Sequence, residues 1–435
     1  MTLLDLTPRP TADALAGLPV AVIGAGPVGL AAAAHLVARG LDVVVYEAGE
    51  SVADAVRQWG HTRLFSPWRF LVDPAARRLL EADGWRMPDP DAVPTGAELV
   101  RDYLEPLAAT GSIRRVVRTG CTVRGVARRG MDRTRTAGRA AVPFVLRVEG
   151  PDGLEDVRAR AVIDASGTFR TPRSLGAHGL EPLGLEDVSD RIVGALPDVL
   201  GRDRDRFAGQ HTTVVGAGHS AANTLLALLA LGQEVPGTRV TWLIRTARAS
   251  RVTSSPDDEL ADRARLGAGL EAAVRDGRLA VLDGFAVSGL ERTEDGVRLV
   301  GDRRDERVTQ ETNVVVGATG FRPDLEMLRE IRLELDDIVE APRRLAPLID
   351  PNEHSCGTVA PHGFRELAHP EPGFFIVGMK SYGRAPTFLL ATGYEQVRSV
   401  AAYLGGDLAA ADAVALTLPT TGVCSTDAVA GGCCA

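Results

Sequence analysis

Three groups of residues in this 435-residue chain have the type and spacing to do chemistry. The first is a glycine turn: Gly24-Ala-Gly26-Pro-Val-Gly29 follows the apolar run 19–23 and opens the alanine-rich stretch Leu30–Arg39, after which Leu41-Asp-Val-Val-Val-Tyr-Glu47 ends in an acid. In the order strand, turn, helix, strand, acid, the glycines have separate uses: a tight turn, close approach of backbone to a pyrophosphate, and close helix-to-strand packing. The helix N-terminus offers N–H groups to phosphates, and Glu47 can accept hydrogen bonds from ribose hydroxyls. The same grammar returns in Thr212-Thr-Val-Val-Gly216-Ala-Gly218-His-Ser-Ala221, then in the apolar helix Ala222–Leu231 and in Val240-Thr-Trp-Leu-Ile-Arg245. Ala221 stands for the third glycine, Ser220 precedes it, and Arg245, with Arg248 close behind, stands where the first unit has Glu47. An acid there repels a 2′-phosphate, whereas arginine binds it bidentately. The first unit is therefore expected to take a cofactor with a free ribose diol and the second NADPH; the plainer reading makes Arg245 a solvated arginine.

The second group surrounds Lys380 in Gly373-Phe-Phe-Ile-Val-Gly378-Met-Lys380, a strand opening onto glycine. Of the 49 basic residues Lys380 is the one lysine, the rest being arginine. An ammonium at this point would stabilise a developing anion beside it; the alternative is a lysine that points to solvent. To the same group belongs Arg57-Gln-Trp-Gly-His61-Thr-Arg-Leu-Phe-Ser66-Pro-Trp68, dense in rings and hydrogen-bonding groups for a protein that is 5% aromatic. Trp59, His61, Arg63 and Trp68 are candidates for lining a pocket, against a reading in which the tryptophans cap the core. The third group is the thiols. Three of the five cysteines, Cys424, Cys433 and Cys434, fall in the last dozen residues, and Cys121 and Cys356 stand far apart. Two or three thiolates on a mobile strand suit a soft, thiophilic ion, with incidental thiols on a loose end as the bland reading.

The elements that must hold these residues can be read coarsely. Gly120–Ala127, Pro143–Glu149 and Asp156–Ile163 read as a small antiparallel meander with the arginine-rich Arg128–Arg139 as its solvated loop. Ala161-Val-Ile-Asp-Ala-Ser-Gly167-Thr and Val314-Val-Val-Gly-Ala-Thr-Gly320-Phe-Arg-Pro323 are strands that run into small-residue corners. Such corners suit a chain passing between domains beside a bound cofactor. The late strand near Phe374 has no partner nearby in sequence, so it is expected to return to the first unit, followed by a helix over Pro386–Tyr403. The expected fold is α/β, with two Rossmann-like dinucleotide-binding domains and the small meander. Residues 18–205 and 321–405 form a discontinuous first domain, 206–320 the inserted second, and 406–435 a flexible tail that carries cysteines.

Composition narrows the function classes. With 45% hydrophobic and 24% charged residues, 47 Gly and no regular repeat, disorder, collagen and coiled coil are excluded for the chain as a whole. A net charge of −8 lacks the basic footprint of a nucleic-acid binder. No apolar run approaches the ~20 residues of a membrane span. Cysteines crowded into a tail cannot staple a core, so a reducing cytoplasm is expected.

The four motifs in this order, over about residues 18 to 405, resemble the flavoproteins with two dinucleotide-binding domains. These include flavin-containing and Baeyer–Villiger monooxygenases, thioredoxin reductases, and glutathione- or mercuric-reductase-like enzymes. The resemblance implies FAD on Gly24, Gly26, Gly29 and Glu47, and NADPH on Gly216, Gly218, Ser220, Ala221 and Arg245. It also places Gly378 and its neighbours against the ribityl–pyrophosphate region, and the segment around Trp59, His61, Arg63 and Trp68 near the flavin. Two departures matter. No CxxC or CxxxxC pair is present, as disulfide reductases need. Lys380 stands where relatives commonly carry the acid of Gly-Asp. Phe207-Ala-Gly-Gln-His leading into the second turn looks like the linker of flavin-containing monooxygenases, although Arg191-Ile-Val-Gly-Ala-Leu-Pro-Asp198 lacks their FxGxxxHxxx signature. With its cysteine-bearing end, the chain also resembles flavin monooxygenases associated with bacterial arsenic resistance. That resemblance implies hydride transfer from NADPH, O2 addition at flavin C4a, and oxygenation of a small soft nucleophile or metalloid, such as a trivalent arsenical, at Cys424, Cys433 and Cys434. The rivals are an NADPH-dependent reductase serving tail thiols or a partner, and a metalloid-binding flavoprotein without turnover. Oligomeric state is open, and a homodimer is admitted.

Overall fold

The computed structural model describes residues 14–246, 261–350, 359–385 and 388–416, with backbone alone for 261–264. In chain order the strands are β1 (Val20–Ile23), β2 (Val43–Tyr46), β3 (Val117–Arg118), β4 (Thr122–Arg128), β5 (Phe144–Gly150), β6 (Gly153–Ala159), β7 (Ala161–Asp164) and β8 (Ile192–Val193). They continue as β9 (His211–Val215), β10 (Arg239–Leu243), β11 (Ala280–Leu282), β12 (Phe285–Arg292), β13 (Val297–Arg303), β14 (Glu306–Thr312), β15 (Val314–Gly317) and β16 (Phe374–Ile376). Two five-stranded parallel sheets result, ordered β16-β7-β1-β2-β3 and β11-β10-β9-β15-β8, each accompanied by an antiparallel three-stranded sheet, β4-β5-β6 and β12-β13-β14. The late strand β16 does return to the first sheet, beside β7.

Alternation along the strands explains why both sheets are buried on two faces. Val20, Val22, Val43 and Val45 point into a core shared with helices Pro27–Ala38, Pro74–Ala82 and Leu390–Leu404, while Ala21, Ile23 and Tyr46 point into one shared with Phe144, Leu146 and Val148 of the meander. The second unit repeats this arrangement. Val214, Val316 and Trp242 face helices His219–Glu234 and Ala261–Arg275, and Val215, Val315 and Leu243 face β12 and β13. Short all-apolar strands such as Val-Ala-Val-Ile are what a parallel sheet covered on both sides requires.

The two chain crossings between the units lie side by side. Arg173 N–H donates to Gly320 O and Arg322 N–H to Thr171 O, each at 2.9 Å, and the Phe169 and Phe321 rings meet at a tilt of 35° with centroids 5.3 Å apart.

Several expectations are revised. The segment Asp156–Ile163 is two strands in different sheets, broken at Arg160, whose N–H is taken by Pro19 O. The second meander was not anticipated, because β14 alternates through mostly exposed polar residues and carries little apolar signal. The edge strand β8 pairs with β15 in the second sheet, although the sequence boundary at 205 puts it with the first. The loop Arg128–Arg139 is exposed over 132–138, as expected, but its two ends are anchored: Arg128 and Arg139 are 2% and 4% exposed and both bond the buried Glu371, because a carboxylate in the core needs this cationic company. The start of the tail is held too. Helix Leu408–Asp412 docks where Ser399 Oγ donates to Ala411 O at 2.7 Å and Arg365 pairs with Asp412. Cys356, Cys424, Cys433, Cys434 and Arg248 lie outside the described residues. Among the described residues no helix is long and apolar enough to cross a membrane, and no group of three or more His, Cys, Asp or Glu residues could hold a metal.

Candidate functional site

The first glycine turn is floored by the corner that follows β7. Gly24 has φ +96°, and a Cβ there would stand 2.8 Å from the Ala165 carbonyl oxygen; at Gly29 it would stand 1.9 Å from that of Gly24. At Gly26 a Cβ would meet nothing within 4 Å, so this position faces open space where a ligand's backbone contact belongs. Gly26 is also the N-cap of helix Pro27–Ala38 and has no side chain to satisfy the first amides. Glu47 is 9% exposed; its Oε2 accepts Ala25 N–H at 2.7 Å and its Oε1 accepts Gly49 N–H at 2.8 Å. The carboxylate is thus held at the edge of the turn with lone pairs left for hydroxyl donors.

The second turn has the same construction. Gly216 has φ +136°, with a Cβ position 2.1 Å from the Ala318 carbonyl oxygen; Gly218 faces open space, and Ala221 is fully buried. Trp242 Nε1–H pins the turn by donating to Gly216 O at 2.7 Å. Each of the two small-residue corners therefore puts an alanine carbonyl beneath a glycine that can bear no side chain. Ser220 lies in the first turn of helix His219–Glu234, and its carbonyl accepts Thr224 Oγ1–H at 2.9 Å. Arg245 is exposed just past β10 and donates to Ala177 O at 2.9 Å. It belongs to a cationic rim with Arg173 and Arg384. Burial, then the nearby Arg384 and Arg245 charges, push the Arg173 guanidinium below its ordinary value, against the opposing pull of Glu340.

Lys380 does not point to solvent. It is 1% exposed, and its Nζ donates to Asp164 Oδ2 at 2.7 Å and to Ser166 Oγ at 3.1 Å, while Asp164 Oδ1 accepts both the N–H and the Oγ–H of Ser166. Nor is it an isolated ammonium, since Asp164 is itself fully buried. The pair ties the turn after β16 to the corner that supports Gly24. Gly378, at φ +68°, packs on Val28 of helix Pro27–Ala38, and its N–H donates to Gln396 Oε1 at 2.7 Å. Gln396 Nε2–H is shared with Ser381 Oγ and His362 Nε2, each at 2.9 Å. With Nε2 accepting, His362 carries its proton on Nδ1, directed at Ala360 O at 3.0 Å, and burial lowers its pKa accordingly.

The loop with the candidate pocket residues divides. Trp68 is 4% exposed in the first core, and Trp59 lies over Gly96, where a Cβ would approach its ring to 2.7 Å. His61 and Arg63 are exposed; Arg63 reaches Val93 O, and His61 makes only a long 3.4 Å contact with Thr62. The structure thus brings Gly24, Gly26, Gly29, Glu47, Gly378 and Lys380 together, and the loop does not bond to that cluster through Trp59, His61, Arg63 or Trp68. It touches the second unit by another residue, the Phe65 ring meeting His219 with centroids 5.1 Å apart. Sequence reasoning missed Asp164, Ser166 and Gln396. The acid inside the apolar run Ala161-Val-Ile-Asp was the available signal, because a buried acid needs a cation and the chain holds one unusual cation. Cys121, the one cysteine among the described residues, is free, and burial followed by the Glu155 charge raises its pKa.

Residues 19–140 match the family model for FAD dependent oxidoreductases, and residues 152–356 match that for pyridine nucleotide-disulphide oxidoreductases. Indole-3-pyruvate monooxygenase YUCCA1 of Oryza sativa subsp. japonica is 30% identical over 212 residues, 48% of this chain; the match spans 44% of that protein's length. Among solved structures, the bacillithiol disulfide reductase Bdr (YpdA) from Bacillus cereus is similar over 89% of this chain and 99% of its own, with TM-score 0.64 and 20% identity. A flavin-containing monooxygenase from Stenotrophomonas maltophilia is similar over 89% and 99%, with TM-score 0.57 and 21% identity. The chain has the fold of these two-domain oxidoreductases.

Proposed function

We propose that the chain is an FAD-dependent oxidoreductase that consumes NADPH and acts as a monooxygenase on a small soft nucleophile or metalloid, with trivalent arsenicals in that class. The observation that carries this reading is the pair of matched glycine turns, one edged by the carboxylate of Glu47 and the other by the guanidinium of Arg245. Both fit a dinucleotide, since Gly26 and Gly218 leave open the space a pyrophosphate needs. Bound flavin supplies the hydride-accepting and oxygen-activating chemistry. The chain's own residues bind and orient. Glu47 holds the ribose diol of FAD, while Arg245, within the rim it shares with Arg173 and Arg384, holds the 2′-phosphate of NADPH. Lys380 works through Asp164 and Ser166 as a positioning residue, keeping the Gly378 turn and the Ala165 corner in register. The loop bearing Trp59, His61 and Arg63, which meets the second unit through Phe65 and His219, lines the approach of the substrate.

A reductase of a low-molecular-weight disulfide is the second reading, favoured by the likeness to the bacillithiol disulfide reductase. Against it stands the lone thiol of Cys121, raised in pKa and without a partner cysteine among the described residues. The deciding experiment measures NADPH oxidation against O2 uptake with thioether, amine, ketone and trivalent arsenical substrates. One O2 consumed per NADPH, with an oxygenated product, supports the monooxygenase; anaerobic NADPH turnover on a disulfide supports the reductase. A chain shortened before Cys424 tests whether the terminal thiols present the metalloid.

A further inference from the structure

A cavity of about 630 Å³ opens on the helical face of the first sheet, bounded by the end of helix Pro27–Ala38, the start of helix Pro74–Ala82 and the first half of helix Leu390–Leu404. That volume is in the range of small-molecule sites. At ~1.5 Å per residue, Ala38 stands roughly 18 Å along its helix from Gly26, so this cavity is separate from the first glycine turn. Phe70, Val72, Ala391, Tyr394 and Leu416 are its apolar lining residues. Arg39, Arg69, Arg78 and Arg398 bring four arginines to the same lining, beside the carboxylates of Asp73 and Glu395.

Both carboxylates are already engaged. Asp73 is fully buried; its Oδ1 accepts the N–H groups of Ala75 and Ala76, and its Oδ2 bonds His35 Nε2 at 2.8 Å. Glu395 takes Arg398 in a two-point pair at 2.6 and 2.9 Å. The remaining arginines are poorly matched. Arg39 reaches Asp407 at 3.4 Å and Arg69 reaches Asp91, whose side chains are 49% and 78% exposed. Such pairs contribute about 0–1 kcal/mol, so an anion within the cavity competes with them readily. Arg78 has no hydrogen-bond or ion-pair partner among the described residues. The amides of helix Pro74–Ala82 add nothing, because Asp73 caps them.

We propose that this cavity is a second small-molecule site, for an amphipathic anion: a carboxylate or phosphate monoester on an apolar body. The head group lies among Arg39, Arg69 and Arg78, and the body lies along Phe70, Val72 and Tyr394. A cation is repelled by the same guanidinium groups, and an uncharged molecule forgoes them. The site is built on elements that also frame the glycine turn, since helix Pro27–Ala38 starts at it and Gln396 of helix Leu390–Leu404 holds Gly378 N–H.

The test is calorimetric titration of the full chain, with saturating FAD and NADP⁺ present so that the dinucleotide turns are filled, using octanoate, octyl phosphate and 1-octanol. Both anions should bind with unit stoichiometry, and 1-octanol about tenfold more weakly or worse. Arg78→Glu and Arg39→Glu should each weaken octanoate about tenfold while flavin content and the thermal midpoint stay unchanged. No saturable octanoate binding, equal binding of 1-octanol, or an octanoate affinity unmoved in the Arg39→Glu/Arg78→Glu double variant would each overturn the proposal.

Discussion

Replacing Lys380 by methionine should be among the most damaging conservative-volume changes available in this protein. Both side chains of the Lys380–Asp164 pair are 0% exposed, and the ammonium gives Asp164 Oδ2 a hydrogen bond of 2.7 Å. Without it, Asp164 keeps the two bonds from Ser166 and loses its counter-charge. Stranding a buried charge in this way costs about 3–5 kcal/mol, whereas removing both charges together costs far less. Lys380→Met should therefore lower unfolding stability by about 3–5 kcal/mol, and Lys380→Met/Asp164→Asn should recover at least about half of that, Asn keeping an acceptor for Ser166 N–H. Urea unfolding followed by tryptophan fluorescence reads this, since Trp59, Trp68 and Trp85 belong to the first unit and Trp242 to the second. A loss below about 1 kcal/mol in the single variant, or a double variant no more stable than the single, refutes the argument that the pair is a buried mutual neutralisation.

Gly26→Ala should leave the empty chain as stable as before and abolish FAD retention, because its methyl enters ligand space; Gly29→Ala should destabilise the chain itself, because its methyl meets Gly24 O at 1.9 Å. Fluorescence titration with FAD and unfolding curves separate the two outcomes. Arg245→Ser should raise the KM for NADPH about tenfold or more and leave that for NADH within about twofold, as loss of one charge-assisted phosphate contact predicts. Burial pushes the His369 pKa down to about 4, below the ordinary 6.5, so the unfolded chain binds the proton more readily. Stability from this residue is complete above pH 6.5 and falls away as the pH drops toward 4, by about 3 kcal/mol in total. His362, also lowered by burial, acts in the same direction. His369→Asn, which keeps an acceptor for Glu334 N–H, should flatten the pH dependence of the unfolding midpoint between pH 6.5 and 4.

The two glycine turns were legible in the sequence because close backbone approach leaves a mark on residue type: a position with a carbonyl 1.9 or 2.1 Å from its missing Cβ can hold only glycine. The return of β16 to the first sheet was legible for a related reason, a buried apolar strand with no local partner. Contacts between residues far apart in sequence left weaker marks. Lys380 was conspicuous, yet its partner lies 216 residues away and had no pattern of its own beyond being an acid in an apolar run. The aromatic loop was ambiguous for the opposite reason. Ring density suits a ligand pocket and a packed core equally, and Trp68 and Trp59 are used for packing while Phe65 makes the contact between units. The edge strand β8 pairs over two residues only, too few for an apolar pattern to announce it.

The burial of Lys380 has a consequence for handling the protein. Because every other basic side chain is arginine, the folded molecule presents no side-chain amine to acylating reagents, amine-coupling surfaces or aldehyde fixatives. The single ε-amino group becomes reactive only when the first unit opens, so its acetylation, read as an added mass on the peptide that contains Lys380, reports that opening at one residue without any engineered label.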